Sequence, residues 1–278
     1  MRELAFFSVK GGTGRSLALA NLAVIMARSG RRIGCVDLDV MAPGLLSIFD
    51  LPEDSYRSRA SVIDLLLDLN NIELLTNSFF DFGTNVGEEK NRLWLIAAKP
   101  EPREKYQELK NSDAWSPSSM AFFRNNFLRP FSEMKQLDYL FIDARSGLAQ
   151  ESLCGLSLVE RHLILFTRLD PQSINVTMHF LRLLKDYGYN RLIPVIVASN
   201  VPRGNENFPL GGQAFRLSKE AVNVLQKINS ALDEFSTEIR CIIPFDESLL
   251  LRHRLISREE DNPTAKGYFL LNKIIEGL

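Results

Sequence analysis

Leu4-Ala5-Phe6-Phe7-Ser8 runs directly into Val9-Lys10-Gly11-Gly12-Thr13-Gly14-Arg15-Ser16, and that loop runs into an apolar helix-period segment reaching Arg28. Strand, glycine loop and helix follow one another without a gap. Gly11, Gly12 and Gly14 let the backbone turn tightly and aim successive N–H groups inward, while the helix N-terminus adds about half a positive charge. Such a loop is built for an anion. Ser16, in the first helical turn, sets a hydroxyl where it can ligate Mg²⁺ bridging the β- and γ-phosphates of a nucleotide. The residue before it is Arg15, where the common phosphate loop has lysine. Arginine keeps its charge at any pH and forks onto two oxygens, but it is bulkier than an ammonium, so phosphate binding is expected to survive and hydrolysis to be slower or tuned.

Outward from this loop, short apolar runs alternate with helix-period segments along the whole chain, the pattern of a parallel sheet wrapped by helices. Strands are expected over Leu4–Ser8, Ile33–Val36, Leu93–Ala97, Tyr139–Ile142, Leu163–Phe166, Pro194–Ala198 and Ile239–Ile243. Most are apolar at successive positions, which fits strands covered on both faces. Helices are expected over Arg15–Arg28, Ser61–Leu69, Ser118–Met134, Gln172–Tyr187, Leu217–Phe235 and Pro263–Ile275. Gly30 and Gly188 sit just past two of them, and Ser61 with Asp64 three residues on forms a capping box. The Gly-, Asn-, Pro- and charge-rich stretches 77–91 and 203–212 read as loops, and 99–119 is the least regular part of the chain. The expectation is a single α/β domain over residues 1–278, with a mostly parallel twisted sheet flanked by helices on both faces.

Composition narrows the function. The chain has 33 Lys plus Arg against 34 Asp plus Glu, a formal net charge of −1, so no global basic field marks it for nucleic acid. With 45% hydrophobic and 24% charged residues in 278, it is a folded protein rather than a disordered one, and no apolar run approaches the ~20 residues of a membrane span. Cys35, Cys154 and Cys241 are far apart, lie in apolar surroundings and form no C-x-x-C pair. Buried thiols in a reducing cytoplasm are expected, not disulfides or structural zinc.

Three carboxylates close two of the strand candidates: Asp37 and Asp39 in Val36-Asp37-Leu38-Asp39, and Asp143 in Phe141-Ile142-Asp143. In an open parallel sheet the carboxyl ends of the strands share one edge, which is also where a glycine loop sits. Strand-end aspartates often serve only as caps or turn residues. Their joint placement favours one Mg-nucleotide.

On these residues the chain resembles the ParA/MinD-like deviant Walker A ATPases, P-loop NTPases of SIMIBI type with a three-layer sandwich fold. Lys10 to Ser16 resembles the deviant Walker A motif, Asp37-Leu38-Asp39 the second acidic motif, and Phe141-Ile142-Asp143 followed by Gly147 the Walker B and switch region. Asn200 and Ile243-Pro244-Phe245-Asp246 look like the elements that frame adenine. Ala42-Pro43-Gly44 and Asp143-Ala144-Arg145-Ser146-Gly147 are similar to a branch that reads KGGxGR. The resemblance implies ATP and Mg²⁺ as cofactors, with Lys10, Gly11, Gly12, Thr13, Gly14, Arg15, Ser16, Leu17, Asn200 and Pro244 binding the nucleotide. It implies Ser16, Asp37 and Asp143 at the metal, Lys10 acting in trans across a homodimer that closes on ATP, Asp39 orienting water, and Arg15 at the phosphates. Arg145 stands where many relatives carry proline, and is open to a salt bridge within the fold, a phosphate contact or a partner.

The implied activity is that of a nucleotide-switched ATPase that recruits or positions an unidentified protein partner. The alternatives are a hydrolysis-poor, ATP-clamped module in a larger bacterial complex such as a defence system, a non-specific DNA-binding partition ATPase, and a kinase or amidotransferase-type synthetase. Arg252, His253, Arg254 and Arg258 form a small basic cluster, but Glu259, Glu260 and Asp261 follow and blunt its field, so DNA is not favoured. In the last helix the polar face carries only Lys266 and Lys273 as cations, and Phe269, Leu270, Ile274 and Ile275 read as core rather than membrane anchor. Gly211-Gly212-Gln213 reads as a turn. His162, His179 and His253 share no metal-ligand spacing.

Overall fold

The computed structural model describes residues 1–82, 92–186, 191–251, 255 and 262–278, with Leu250 and Leu251 described by backbone alone. Gly188 and the basic cluster at Arg252, His253, Arg254 and Arg258 lie outside the described residues. Two compact units share the chain: Met1–Ala5 with Met26–Glu160, and Phe6–Ile25 with Arg161–Leu278.

The first unit holds the start of β1 (Arg2–Ser8), then β2 (Ile33–Asp37), β3 (Phe79–Asp81), β4 (Leu93–Ile96) and β5 (Tyr139–Asp143), in the order β1-β5-β2-β4-β3. β2 runs parallel to both β4 and β5, and β3 is antiparallel to β4. β2, β4 and β5 are buried at every position. Each strand is short and apolar on both faces, so it is stable only when helices cover both sides. One helical stretch packs on β2 and β3: a Cβ on Gly34 would meet Phe131 Cε1 at 2.8 Å, and the Phe131 ring lies 5.9 Å from that of Phe79. That stretch was expected as a single helix over Ser118–Met134. It is instead Pro117–Phe123, a π turn over Arg124–Leu128, and Arg129–Lys135. Pro130 has no N–H to give the carbonyl of Asn126 and its ring crowds that turn, so the backbone widens rather than breaking.

The second unit holds the end of β1 with β6 (His162–Thr167), β7 (Ile193–Val201), β8 (Arg203–Leu210), β9 (Gln213–Leu217) and β10 (Ile239–Pro244). The order is β10-β7-β6-β1, with β10 and β6 both parallel to β7. Alternation along β1 is explicit here. Phe6 lies 6.3 Å from Phe166 of β6, while Phe7 on the opposite face lies 4.8 Å from Phe180 of the helix Pro171–Asp186.

Two loop expectations need correction, and the segment read as least regular holds a helix. Residues 203–212 form β8 and the turn of an antiparallel hairpin with β9. Gly211 and Gly212 both take positive φ, +58° and +76°. This is the backbone of a two-residue turn matched to strand twist, and only the turn itself was expected. Within 77–91, Phe79–Asp81 pairs with β4. Within 99–119, Arg103–Asn111 is helical behind Pro102, which supplies a fixed φ at the helix start. The remaining strands and helices fall where expected to within a few residues. The capping box is present, with the Ser61 N–H donating to Asp64 Oδ2 at 2.7 Å.

Candidate nucleotide site

In the second unit, β1 delivers the chain at Ser8 and the helix Arg15–Arg28 carries it away. Between them Gly12 and Gly14 each sit at φ +72°. A Cβ on Gly12 would meet nothing within 4 Å, so glycine is required there by backbone conformation rather than by space. The Ala18 N–H donates to the Gly14 carbonyl at 2.9 Å, closing the first helical turn. Gly11, Gly12 and Gly14 are exposed, Thr13 and Arg15 buried, and Ser16 and Leu17 between.

Asn200 fixes this loop. It lies in β7 at φ +53°, an unusual left-handed backbone, and its Nδ2 donates to the Gly12 carbonyl at 3.0 Å. The contact spans 188 positions of sequence. Arg15 is 6% exposed, and its Nη2 lies 3.5 Å from Ser16 Oγ. Lys10 is tethered within its own unit. Its Nζ donates to Gln172 Oε1 at 2.8 Å and lies 3.8 Å from Asp170 Oδ1. Asp170 also caps the helix Pro171–Asp186, accepting from the N–H and hydroxyl of Ser173 at 2.9 and 2.7 Å. The Ser173 hydroxyl first, and then, against the raising effect of burial, its N–H, Lys10 and Arg168 hold the Asp170 carboxyl below the usual carboxylate range. Pro244, at the end of β10, is buried, and its carbonyl accepts from Thr264 Oγ1 at 2.8 Å.

In the first unit, Asp37 and Asp143 are register partners at the carboxyl ends of β2 and β5, and both are fully buried. Asp37 Oδ1 accepts from the Asp39 N–H at 3.0 Å, and its Oδ2 from the N–H groups of Gly44 and Leu45, both at 3.3 Å. Burial first, then the charge of Asp143, pushes the Asp37 carboxyl well above the usual range, against the lowering effect of the Leu45 and Asp39 N–H groups. Asp39 is only half-buried. Arg145 lies 3.9 Å from Glu151 in the helix Gln150–Ser157, so among its three open roles the salt bridge within the fold is the one observed.

The two units thus hold the expected residues in two groups: Lys10 to Leu17 with Asn200 in one, and Asp37, Asp39 and Asp143 in the other. Sequence reading missed Asp170 and Gln172. The only signal was Asp170-Pro171-x-Ser173, which reads as an ordinary helix cap. The donor chemistry suits Mg²⁺, which takes one or two carboxylates and fills its remaining positions with phosphate and water. Among the described residues no three His, Cys, Asp or Glu groups gather as a fuller metal cage.

Residues 1–80 match the family model ParA, described as a NUBPL iron-transfer P-loop NTPase. MinD of Pyrococcus horikoshii, solved with Mg-ADP, superposes over 99% of this chain and 95% of its own with a TM-score of 0.67 at 16% identity. The chain has the fold of this MinD structure. MinD of Aquifex aeolicus in its complex with MinC covers 100% of this chain and 96% of its own, with a TM-score of 0.64 at 17% identity. A curated relative, the iron-sulfur cluster carrier protein of Pseudomonas fragi, is 42% identical over 50 residues. That match spans only 18% of this chain and 17% of the relative. The glycine loop lies inside the matched residues 1–80, and the mostly parallel sheet is the part of the fold shared with the MinD structures. Among the described residues, no helix is long and apolar enough to cross a membrane.

Proposed function

We propose that this chain is an Mg-dependent ATPase of the ParA/MinD type that acts over residues 1–278 as one ATPase domain. On binding ATP it closes as a homodimer and recruits or positions a protein partner. The observation carrying this reading is the loop Lys10–Ser16, with left-handed Gly12 and Gly14 at a helix start. The N–H groups from Gly11 to Leu17 cradle the phosphates, and Arg15 adds fixed charge beside them. Asn200 draws the Gly12 carbonyl to itself, so that oxygen does not face the anion, and Asn200 and Pro244 frame the adenine. When bound, Mg²⁺ neutralises charge on the β- and γ-phosphates, with the Ser16 hydroxyl and the carboxylates of Asp37 and Asp143 assigned to hold it. Asp39 orients the attacking water. Lys10 must leave Gln172 and Asp170 to reach the phosphates of a second protomer, where its charge makes dimer closure depend on the nucleotide.

A second reading, an ATP-clamped module that hardly hydrolyses, is favoured by one observation. Arg15 is buried against the loop, where the usual P-loop has a slender lysine free to follow the γ-phosphate. Phosphate release from wild type and Asp39→Ala separates the two. A drop of tenfold or more in the variant supports the ATPase, while equal and very slow release in both supports the clamp. Three buried free thiols agree with a cytoplasmic setting.

A further inference from the structure

The last helix, Pro263–Glu276, has two unlike faces. Ala265, Tyr268, Leu271 and Ile275 are buried, and a Cβ on Gly267 would meet the Ile242 carbonyl of β10 at 2.5 Å, so this face is pressed onto the sheet. On the other face stand Lys266, Phe269 and Lys273. Seven residues are two turns, so the lysines point the same way about 10.5 Å apart, with Phe269 between them. The β8–β9 hairpin supplies the facing wall. Its turn leans so close that a Cβ on Gly211 would meet Leu270 Cδ1 at 2.5 Å. Between wall and helix lies a cleft of about 620 Å³ lined by Gln213, Ala214, Lys266, Phe269 and Lys273. Among the described residues neither lysine takes part in an ion pair.

We propose that this cleft binds an acidic amphipathic helix of a partner protein, two of its carboxylates meeting Lys266 and Lys273 while an apolar side chain between them covers Phe269. The proposal rests on the reading that the chain recruits a protein, and it names where and by what chemistry. Spacing decides the form of the ligand. Carboxylates at i and i+7 of a helix lie about 10.5 Å apart on one face, matching the lysines, with i+3 or i+4 over the ring. An extended strand covers a similar distance in three residues, but side chains an odd number apart point to opposite faces, so only one carboxylate could engage. A lipid surface fits less well. Interfacial helices bury a broad apolar face, and here that face is already spent on β10, leaving the half-buried Phe269 and Ile274.

The test uses the full chain without nucleotide and a fluorescent 18-residue helical peptide carrying Glu at positions 6 and 13 and Leu at 9 and 10. Binding in the micromolar range at low salt is expected, weakened at least tenfold in Lys266→Glu/Lys273→Glu and also weakened in Phe269→Ala. A charge-swapped peptide with Lys at positions 6 and 13 should bind the double variant better than wild type. That rescue shows the variant is folded and the contact direct. Equal binding of the peptide by wild type and double variant, no binding at millimolar peptide, or tighter binding to vesicles with 30% anionic lipid than to the peptide would each overturn the proposal. ATP hydrolysis measured on the same variants keeps the two readings apart. Peptide binding by wild type that is lost in the variants with turnover unchanged supports the cleft, whereas no peptide binding by a wild type that still hydrolyses ATP overturns the cleft and leaves the ATPase reading standing.

Discussion

Asn200→Ala isolates what holds the glycine loop in shape. The side chain contributes one neutral hydrogen bond, Nδ2 to the Gly12 carbonyl at 3.0 Å, beside two glycines already committed to positive φ. A neutral hydrogen bond contributes about 0.5–1.5 kcal/mol net, so a loop freed of it must be re-ordered by the ligand at about that cost. At about 1.4 kcal/mol per factor of ten, this weakens nucleotide binding about fivefold, within limits of about twofold and about tenfold. Alanine at φ +53° also strains the fold by about 1–2 kcal/mol. Asn200→Gly removes that second effect, because glycine accepts the left-handed backbone. Isothermal titration of both variants with ATP, GTP and tripolyphosphate separates the roles of Asn200. If it acts through the loop, all three ligands weaken by a similar factor in both variants, while the melting temperature falls further in Asn200→Ala than in Asn200→Gly. Wild-type affinity in both variants, or a loss confined to ATP, would refute the loop role, the latter leaving Asn200 as a reader of the adenine edge alone.

Gln172→Ala removes the 2.8 Å bond to Lys10 while leaving the Asp170 cap on Ser173 intact. Because exposed polar and ionic contacts contribute about 0.2–1 kcal/mol, the ATP-bound dimer should tighten by about 1.4- to fivefold for each protomer's Lys10 in sedimentation velocity; a weaker dimer would mean that Gln172 presents Lys10 rather than restrains it. Asp64 sets a pH dependence of stability. Burial alone would raise its carboxyl, but Lys105 and the N–H and hydroxyl of Ser61 hold it below the usual value. A depressed folded value contributes stability above the unfolded carboxylate value of about 3.9, lost as pH falls through the folded one. Asp64→Ala should therefore lose about 1 kcal/mol in urea unfolding at pH 7 and much less near pH 3, and an equal loss at both would show that the charge is not involved.

The strands and the helix Arg15–Arg28 were legible because each is a short apolar run or a helical period bounded by glycine or a cap. The glycine loop was legible for the same reason: its chemistry is local, contained within eight residues. What escaped was of two kinds. The β8–β9 hairpin is mostly solvent-facing, so burial imprints little alternation on it, and Pro209 and the glycines make it resemble a loop. The pair Gly211-Gly212 between Leu210 and Gln213 was the available signal for strands on either side of the turn. The tether of Lys10 to Gln172 and the grip of Asn200 on Gly12 join residues 162 and 188 positions apart, and neither residue type announces such a role. Asp37 shows the limit differently. Its place at a strand end was readable, but its three backbone N–H donors and the raised carboxyl beside Asp143 depend on burial that only the packed fold supplies.

The mass of the protein in solution with Mg-ATP, compared with Mg-ADP and with Lys10→Ala in Mg-ATP, tests the nucleotide switch most directly. Light scattering behind a sizing column should give twice the monomer mass of 31.5 kDa for wild type with ATP, and the monomer mass with ADP and for the variant. A wild type that stays monomeric with bound ATP, or a Lys10→Ala dimer as tight as wild type, would contradict a dimer closed by Lys10 in trans.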